Sequence, residues 1–162
     1  MEGYVSEILE GGGRYEGKKV NGVKNGYGKL FFRDGGHYEG DWKENKMHGF
    51  GKLYYENGQI AYEGYWMEDE FNGEGRVFND RPEKILGEFN YYDFADLGDK
   101  WVFYEGEFKN DSKHGKGKIK LTNGEVFEGN FTYDSIEGEG IFYSIKGEAV
   151  EGYWKDSLLI DH

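Results

Sequence analysis

The sequence predicts an all-β protein, an elongated single-layer or trough-like solenoid of stacked antiparallel β-hairpins with about 23 residues per repeat. Two observations carry this. A phrase of aromatic residues and glycines recurs at a nearly fixed period. Chain chemistry also favours short strands over helices, with 28 glycines, 30 aromatic residues (14 Tyr, 12 Phe and 4 Trp) and one proline in 162 residues. So much apolar ring area sets the chain apart from disordered sequences, which are poor in such groups.

The period is read from an aromatic or apolar residue followed by Glu-Gly, at Tyr15, Tyr38, Tyr62, Tyr104, Phe127 and Val150. Successive starts lie 23, 24, 42, 23 and 23 residues apart. Eleven residues after each of the first five comes Gly-x-Gly, at 26/28, 49/51, 73/75, 115/117 and 138/140. The 42-residue interval holds a worn copy that begins Ile85-Leu86-Gly87-Glu88-Phe89 and reaches Asp96-Leu97-Gly98 at the glycine position.

These motifs, Tyr-Glu-Gly-x-Trp/Phe, then His-Gly-x-Gly, then Asn-Gly or Asp-Gly, resemble the MORN repeat (membrane occupation and recognition nexus). The resemblance covers residues 15–154: five full copies, a degenerate copy at 85–103 and a C-terminal half copy from 150. Residues 1–14 form an N-terminal segment whose Gly11-Gly12-Gly13 reads as a flexible joint, and 155–162 form a tail. Leu158-Leu159-Ile160 is apolar enough to fold back as a cap on the last strand or to dock elsewhere.

Within each copy, two short segments broken by turn residues read as a hairpin. Placing the first turn eight to nine residues after the initial Tyr puts Tyr38, Gly40 and Trp42 on one face with Gly49, Gly51, Leu53 and Tyr55. The glycines on that face leave room for rings lying flat on the neighbouring strand. Leu30, Leu53, Val77, Ile119 and Phe142 share it, one from each full copy. Asn57-Gly58, Asn123-Gly124 and Asp34-Gly35 are type I′ signals for the connections between hairpins. No single hairpin is stable alone, so neighbours must share their faces.

The opposite face carries the glutamates of the motif beside Lys29, Lys52, Arg76 and Lys118. The same parity puts Phe31, Tyr54, Phe78 and Tyr143 there, a row of aromatics suited to anchoring a partner. A second candidate partner site is the irregular stretch 90–103 in the worn copy, with Tyr91, Tyr92, Phe94 and Trp101. Identical glutamates in every copy read as a solvated Glu–Lys ladder rather than a catalytic pair. His48 and His114 occupy one repeat slot 66 residues apart and read as turn residues, not metal ligands. No cofactor or metal site is expected.

The net charge of −12 disfavours nucleic acid and acidic membrane surfaces. With no cysteine, no signal peptide and no long apolar run, the chain reads as soluble and cytoplasmic. The resemblance implies a non-enzymatic protein–protein interaction scaffold. It further implies a structural subunit of a larger ciliary or cytoskeletal assembly, with homodimerisation through an uncapped end as a further expectation. The alternative it implies is a module recognising acidic phospholipids through Lys29, Lys52, Arg76 and Lys118.

Overall fold

The computed structural model describes residues 1–162. Its strands are β1 (Glu2–Ile8), β2 (Arg14–Val20), β3 (Val23–Phe31), β4 (His37–Lys43), β5 (Lys46–Tyr54), β6 (Ile60–Met67), β7 (Glu70–Phe78), β8 (Trp101–Lys109), β9 (Ser112–Leu121), β10 (Val126–Thr132), β11 (Ser135–Tyr143), β12 (Ala149–Lys155) and β13 (Leu158–Asp161). The strand order is the sequence order. One 3₁₀ turn, Phe94–Asp96, is the sole helical element. The fold is therefore all-β, as predicted. The chain divides into two compact units, Met1–Gly75 and Arg76–His162, with the boundary inside β7.

The β4–β5 hairpin shows the repeat. Tyr38 pairs with Leu53, Glu39 with Lys52 and Gly40 with Gly51, so the expected division of side chains between faces holds. The turn lies closer to Tyr38 than expected, at Glu44-Asn45, and Trp42 pairs with Met47. A bulge of His48, Gly49 and Phe50 opposite Asp41 makes up the difference. Gly49 sits in that bulge at φ 88°, and Gly26, Gly73, Gly115 and Gly138 repeat it at 94°, 96°, 104° and 100°. This conformation favours glycine strongly, which explains the first glycine of Gly-x-Gly.

The turn types are the reverse of the expectation. Type I′ geometry, with two successive residues at positive φ, occurs within the copies at Glu44-Asn45, Glu68-Asp69, Asn110-Asp111, Tyr133-Asp134 and Asp156-Ser157. At Asn57-Gly58 only the glycine is left-handed, at φ 87°, with Gly58 N–H on Tyr55 C=O at 2.9 Å and Tyr55 N–H on Gln59 C=O at 2.8 Å. That is the three-residue hairpin loop with a glycine bulge, and Gly35 and Gly124 close the same kind of loop.

Non-glycine residues tolerate the I′ positions at four of these tips because each is latched to the hairpin before it. Asn45 Oδ1 accepts the Lys24 N–H at 2.8 Å, while the Asn45 N–H returns to Lys24 C=O at 2.9 Å. Asp69 grips Met47 in the same way, Asp134 grips Lys113, and Ser157 grips Ile136. A short side chain that accepts a hydrogen bond is therefore needed at the second tip position.

The rings fill the face that the glycines clear. Tyr15, Tyr38, Tyr62, Tyr104 and Phe127 have no exposed area. A Cβ on Gly28, Gly51, Gly75, Gly117 or Gly140 would collide with its hairpin's ring. Tyr38 Oη donates to Asp41 C=O at 2.8 Å, and Tyr15, Tyr62 and Tyr104 repeat that bond three residues ahead of themselves. Trp42 Nε1 reaches back to Gly28 C=O at 3.1 Å, and Trp66 Nε1 to Gly51 C=O at 3.2 Å. The rings meet edge to face, Tyr38 with Trp42 and Trp66 at 5.2 Å and Phe127 with Trp154 at 5.0 Å, the arrangement their quadrupoles favour.

This seating sets an alkaline limit. Burial, with smaller contributions from Tyr4 and Glu7, pushes Tyr15 up to about 12; burial and the Asp41 and Asp69 carboxylates raise Tyr38 as well. Both ionise near 10 when unfolded, so the folded chain holds protons that the unfolded chain releases. Their contribution is complete below about pH 10 and is lost as pH rises through the folded values, at about 1.4 kcal/mol per pH unit for each tyrosine. Urea unfolding between about pH 8 and 12 should show a plateau followed by that decline. Stability independent of pH above 10 would contradict the seating.

Three segments depart from the expected repeat boundaries. Residues 2–8 form β1, paired with β2 from Glu2–Val20 to Ile8–Arg14, and Gly11-Gly12-Gly13 is a closed hairpin loop with Leu9 N–H on Gly13 C=O at 2.7 Å, not a flexible joint. The tail forms β13. The worn copy at 85–103 forms no hairpin: residues 79–100 contain no strand, and β8 begins only at Trp101. Asp96 stands where the bulge needs a left-handed glycine, and Ile85 replaces the ring. The segment crosses the ring-bearing face of the second unit as a strap.

Candidate interaction faces

Within the first unit, the outer face carries a stacked row. The Arg14 guanidinium lies 4.5 Å from the Phe31 centroid, Phe31 stacks on His37 at 5.4 Å, and His37 on Tyr54 at 4.3 Å and 8°. Tyr54 Oη donates to Glu39 Oε1 at 2.9 Å. Burial and this carboxylate push the phenol up to about 12. Phe31 and Tyr54 thus lie on the predicted face, half-buried. The sequence reading missed His37, which joins them. Register would have found it, since the loop at 32–36 sets His37 opposite Phe31.

In the second unit the row is broken. Phe78 and Phe103 lie 6.2 Å apart, with Arg76 near both and bonded to Glu105 at 2.9 Å. Lys120 follows opposite Phe103, and Tyr143 lies beyond it, opposite Val126 and 38% exposed. The candidate cations alternate with carboxylates: Glu16, Lys29, Glu39, Lys52 and Glu63 pair successively across β2 to β6, and Glu105, Lys118 and Glu128 across β8 to β10. Lys29 lies 3.8 Å from Glu39. No block of positive charge results.

The strap occupies the inner face of the second unit. Ile85 N–H donates to Thr122 Oγ1 at 3.0 Å, and Asn123 Nδ2 donates to Gly87 C=O at 2.9 Å. Glu125, 1% exposed, accepts Phe89 N–H and Asn123 Nδ2 on Oε1 at 2.8 and 2.6 Å, and Ile145 N–H on Oε2 at 3.2 Å. Tyr91 C=O accepts Trp154 Nε1 at 3.0 Å, and its ring stacks on Phe142 at 4.9 Å. Phe94 plugs the space among Phe127, Phe142 and Trp154 at 5.1, 6.1 and 6.3 Å.

This corrects the second candidate site. Phe94 is 6% exposed and Tyr91 half-buried, so both serve the unit's own packing. Trp101 pairs with buried Leu121 and has Lys113 Nζ 5.6 Å from its ring. Of the four residues, Tyr92 alone is largely exposed, at 48%. Glu125, which pins the strap, had no signal in the repeat pattern beyond following Asn-Gly.

Under the strap, Ile119, Leu121 and Phe142 are buried. Leu30 and Leu53, which occupy the slot of Ile119 and Phe142 in the first unit, are only partly buried. His114 Nδ1 accepts the Tyr133 N–H at 3.3 Å, and no group of three or more His, Asp or Glu side chains converges.

Latched hairpins with glycine-seated rings define a β-hairpin repeat protein. The chain belongs to the MORN-repeat family, whose profile matches residues 15–37, 38–60, 62–77, 104–126 and 127–148, more than half of the sequence. The stretch without strands lies outside every matched segment. No curated protein matches the chain. The repeat is a non-catalytic module of the kind that mediates protein or membrane interactions.

Proposed function

We propose that this protein is a non-enzymatic interaction scaffold whose first unit binds an extended, aromatic-bearing segment of a partner protein. The supporting observation is the strap: repeats of the same design in the second unit hold residues 85–94 through backbone hydrogen bonds and buried rings. The equivalent apolar positions in the first unit, Leu30 and Leu53, are less completely buried. In this reading the chain is a structural subunit of a larger assembly, of the cytoskeletal or ciliary kind in which similar repeat proteins occur.

A fluorescent peptide with the sequence of residues 85–96 provides the test, titrated with the full chain at moderate salt. Binding of micromolar order is expected, weakened at least about tenfold by Leu30→Lys with Leu53→Lys. Absence of binding, or binding indifferent to both leucines, would overturn the proposal. Flotation with anionic vesicles that depends on Lys29, Lys52 and Lys118 would support the membrane reading instead.

A further inference from the structure

We infer that two copies of this chain join through the outer edge of β1, extending their sheets across a twofold axis at Val5. Independently of the peptide-binding reading, the two outer strand edges are closed differently. At the C-terminal edge the strap takes the place of a following hairpin. Leu159 N–H donates to Tyr92 C=O at 2.8 Å, Phe94 N–H to Ser157 C=O at 3.0 Å, and Asp93 bridges Leu158. The edge of β1 has no such cover.

The groups left open on β1 follow from its pairing. Asn21 N–H donates to Met1 C=O at 2.7 Å, and Leu9 N–H to Gly13 C=O at 2.7 Å. Both are hydrogen-bonded pairs, and such pairs recur every second residue. Gly3, Val5 and Glu7 therefore turn their backbone groups to β2. Glu2, Tyr4, Ser6 and Ile8 turn theirs outward. An exposed edge of this kind is a template for another strand.

The edge complements itself. With Val5 on the twofold, Glu2 pairs with the second copy's Ile8, and Tyr4 with its Ser6, so every outward backbone group of β1 finds a partner. No like charges oppose one another, because Glu7 faces glycine and Glu2 faces isoleucine. Within its own copy, Glu7 is already bonded to Lys19, and Glu2 lies 3.8 Å from Lys18. Tyr4 and Ile8, 70% and 82% exposed, share the outer face. The join sets Tyr4 diagonal to its symmetry mate and to the second copy's Ile8, within reach of aromatic contact. The apolar area lost to water is modest, so the dimer should be weak and concentration-dependent.

Sedimentation between about 1 and 500 µM should show the 18.7 kDa chain passing to twice that mass. Ser6→Pro removes an outward N–H and leaves the β1–β2 ladder intact. It should hold the chain monomeric throughout that range with an unchanged melting temperature. The chain has no cysteine, so Val5→Cys gives an independent reading. Val5 and its mate form a non-hydrogen-bonded pair at about 4.5 Å between Cα atoms, a separation that a disulfide spans. Mild oxidation should cross-link Val5→Cys readily and Glu7→Cys poorly. The inference fails if the wild-type chain stays monomeric, if a dimer survives Ser6→Pro, or if both cysteine variants cross-link alike.

Discussion

Gly51→Ala should destabilise the first unit by about 3 kcal/mol or more, although alanine ordinarily gains about 0.5–1 kcal/mol over glycine inside a strand. Backbone strain is not the reason, because Gly51 lies outside the left-handed region. All three atoms nearest to an added Cβ belong to the Tyr38 ring. That ring cannot retreat. Trp42 and Trp66 press edge-on against it at 86° and 83°, and its hydroxyl is tied to Asp41 C=O. Overpacking is costly where neighbours are already fixed. Urea unfolding followed by tryptophan fluorescence would measure the loss. Gly58→Ala is the control: an added Cβ there meets nothing within 4 Å. It should cost only the left-handed penalty, about 1–2 kcal/mol.

Glu125→Gln should have the second largest effect, about 2–3 kcal/mol, despite preserving size and shape. Three donors converge on the two carboxylate oxygens, with Phe89 and Asn123 at Oε1 and Ile145 at Oε2. An amide offers one oxygen. Its NH₂ must face at least one N–H, leaving a donor unsatisfied where water does not reach. The expected consequence is local, with the strap loosening before the hairpins do. Amide exchange at Phe89 and Ile145 should accelerate, and the fluorescence of Trp154, bonded to Tyr91 C=O, should shift toward that of a solvated indole. Unchanged exchange at both amides would show that Glu125 does not hold the strap.

Both effects rest on features that differed in how visible they were beforehand. The ring seats were legible because they are local and recurrent. Glycine at both positions of Gly-x-Gly, at a fixed offset from an aromatic residue, encodes the bulge and the seat together. Parity followed, and it placed Phe31, Tyr54 and the Lys–Glu ladder on the correct face. The type I′ tips were not legible, because Glu44-Asn45 and Tyr133-Asp134 lack the usual glycine. Their support comes from residues 21 positions earlier, such as Lys24 and Lys113, beyond the reach of local propensity.

The strap was hidden for a related reason. Ile85-Leu86-Gly87-Glu88-Phe89 keeps the period and part of the motif, so the pattern alone favoured another hairpin. What decides its path lies elsewhere in the chain, at Thr122, Glu125, Ser157 and Leu159. Composition likewise misread Gly11-Gly12-Gly13, since three glycines in sequence look like a joint until β1 is seen to need a turn. The aromatic residues at 91 and 94 were conspicuous, but their abundance could not distinguish a surface anchor from an internal plug.

A double-mutant cycle on Gly51 and Tyr38 tests most directly whether glycines exist here to seat rings. Tyr38→Leu keeps the stem of the side chain and removes the Cε, Cζ and Oη atoms, among which are the three nearest an added Cβ at Gly51. Gly51→Ala should then cost less than about 0.5 kcal/mol, giving a coupling of at least about 2 kcal/mol between the two sites. An equal cost in both backgrounds would mean that the glycine serves something other than the ring.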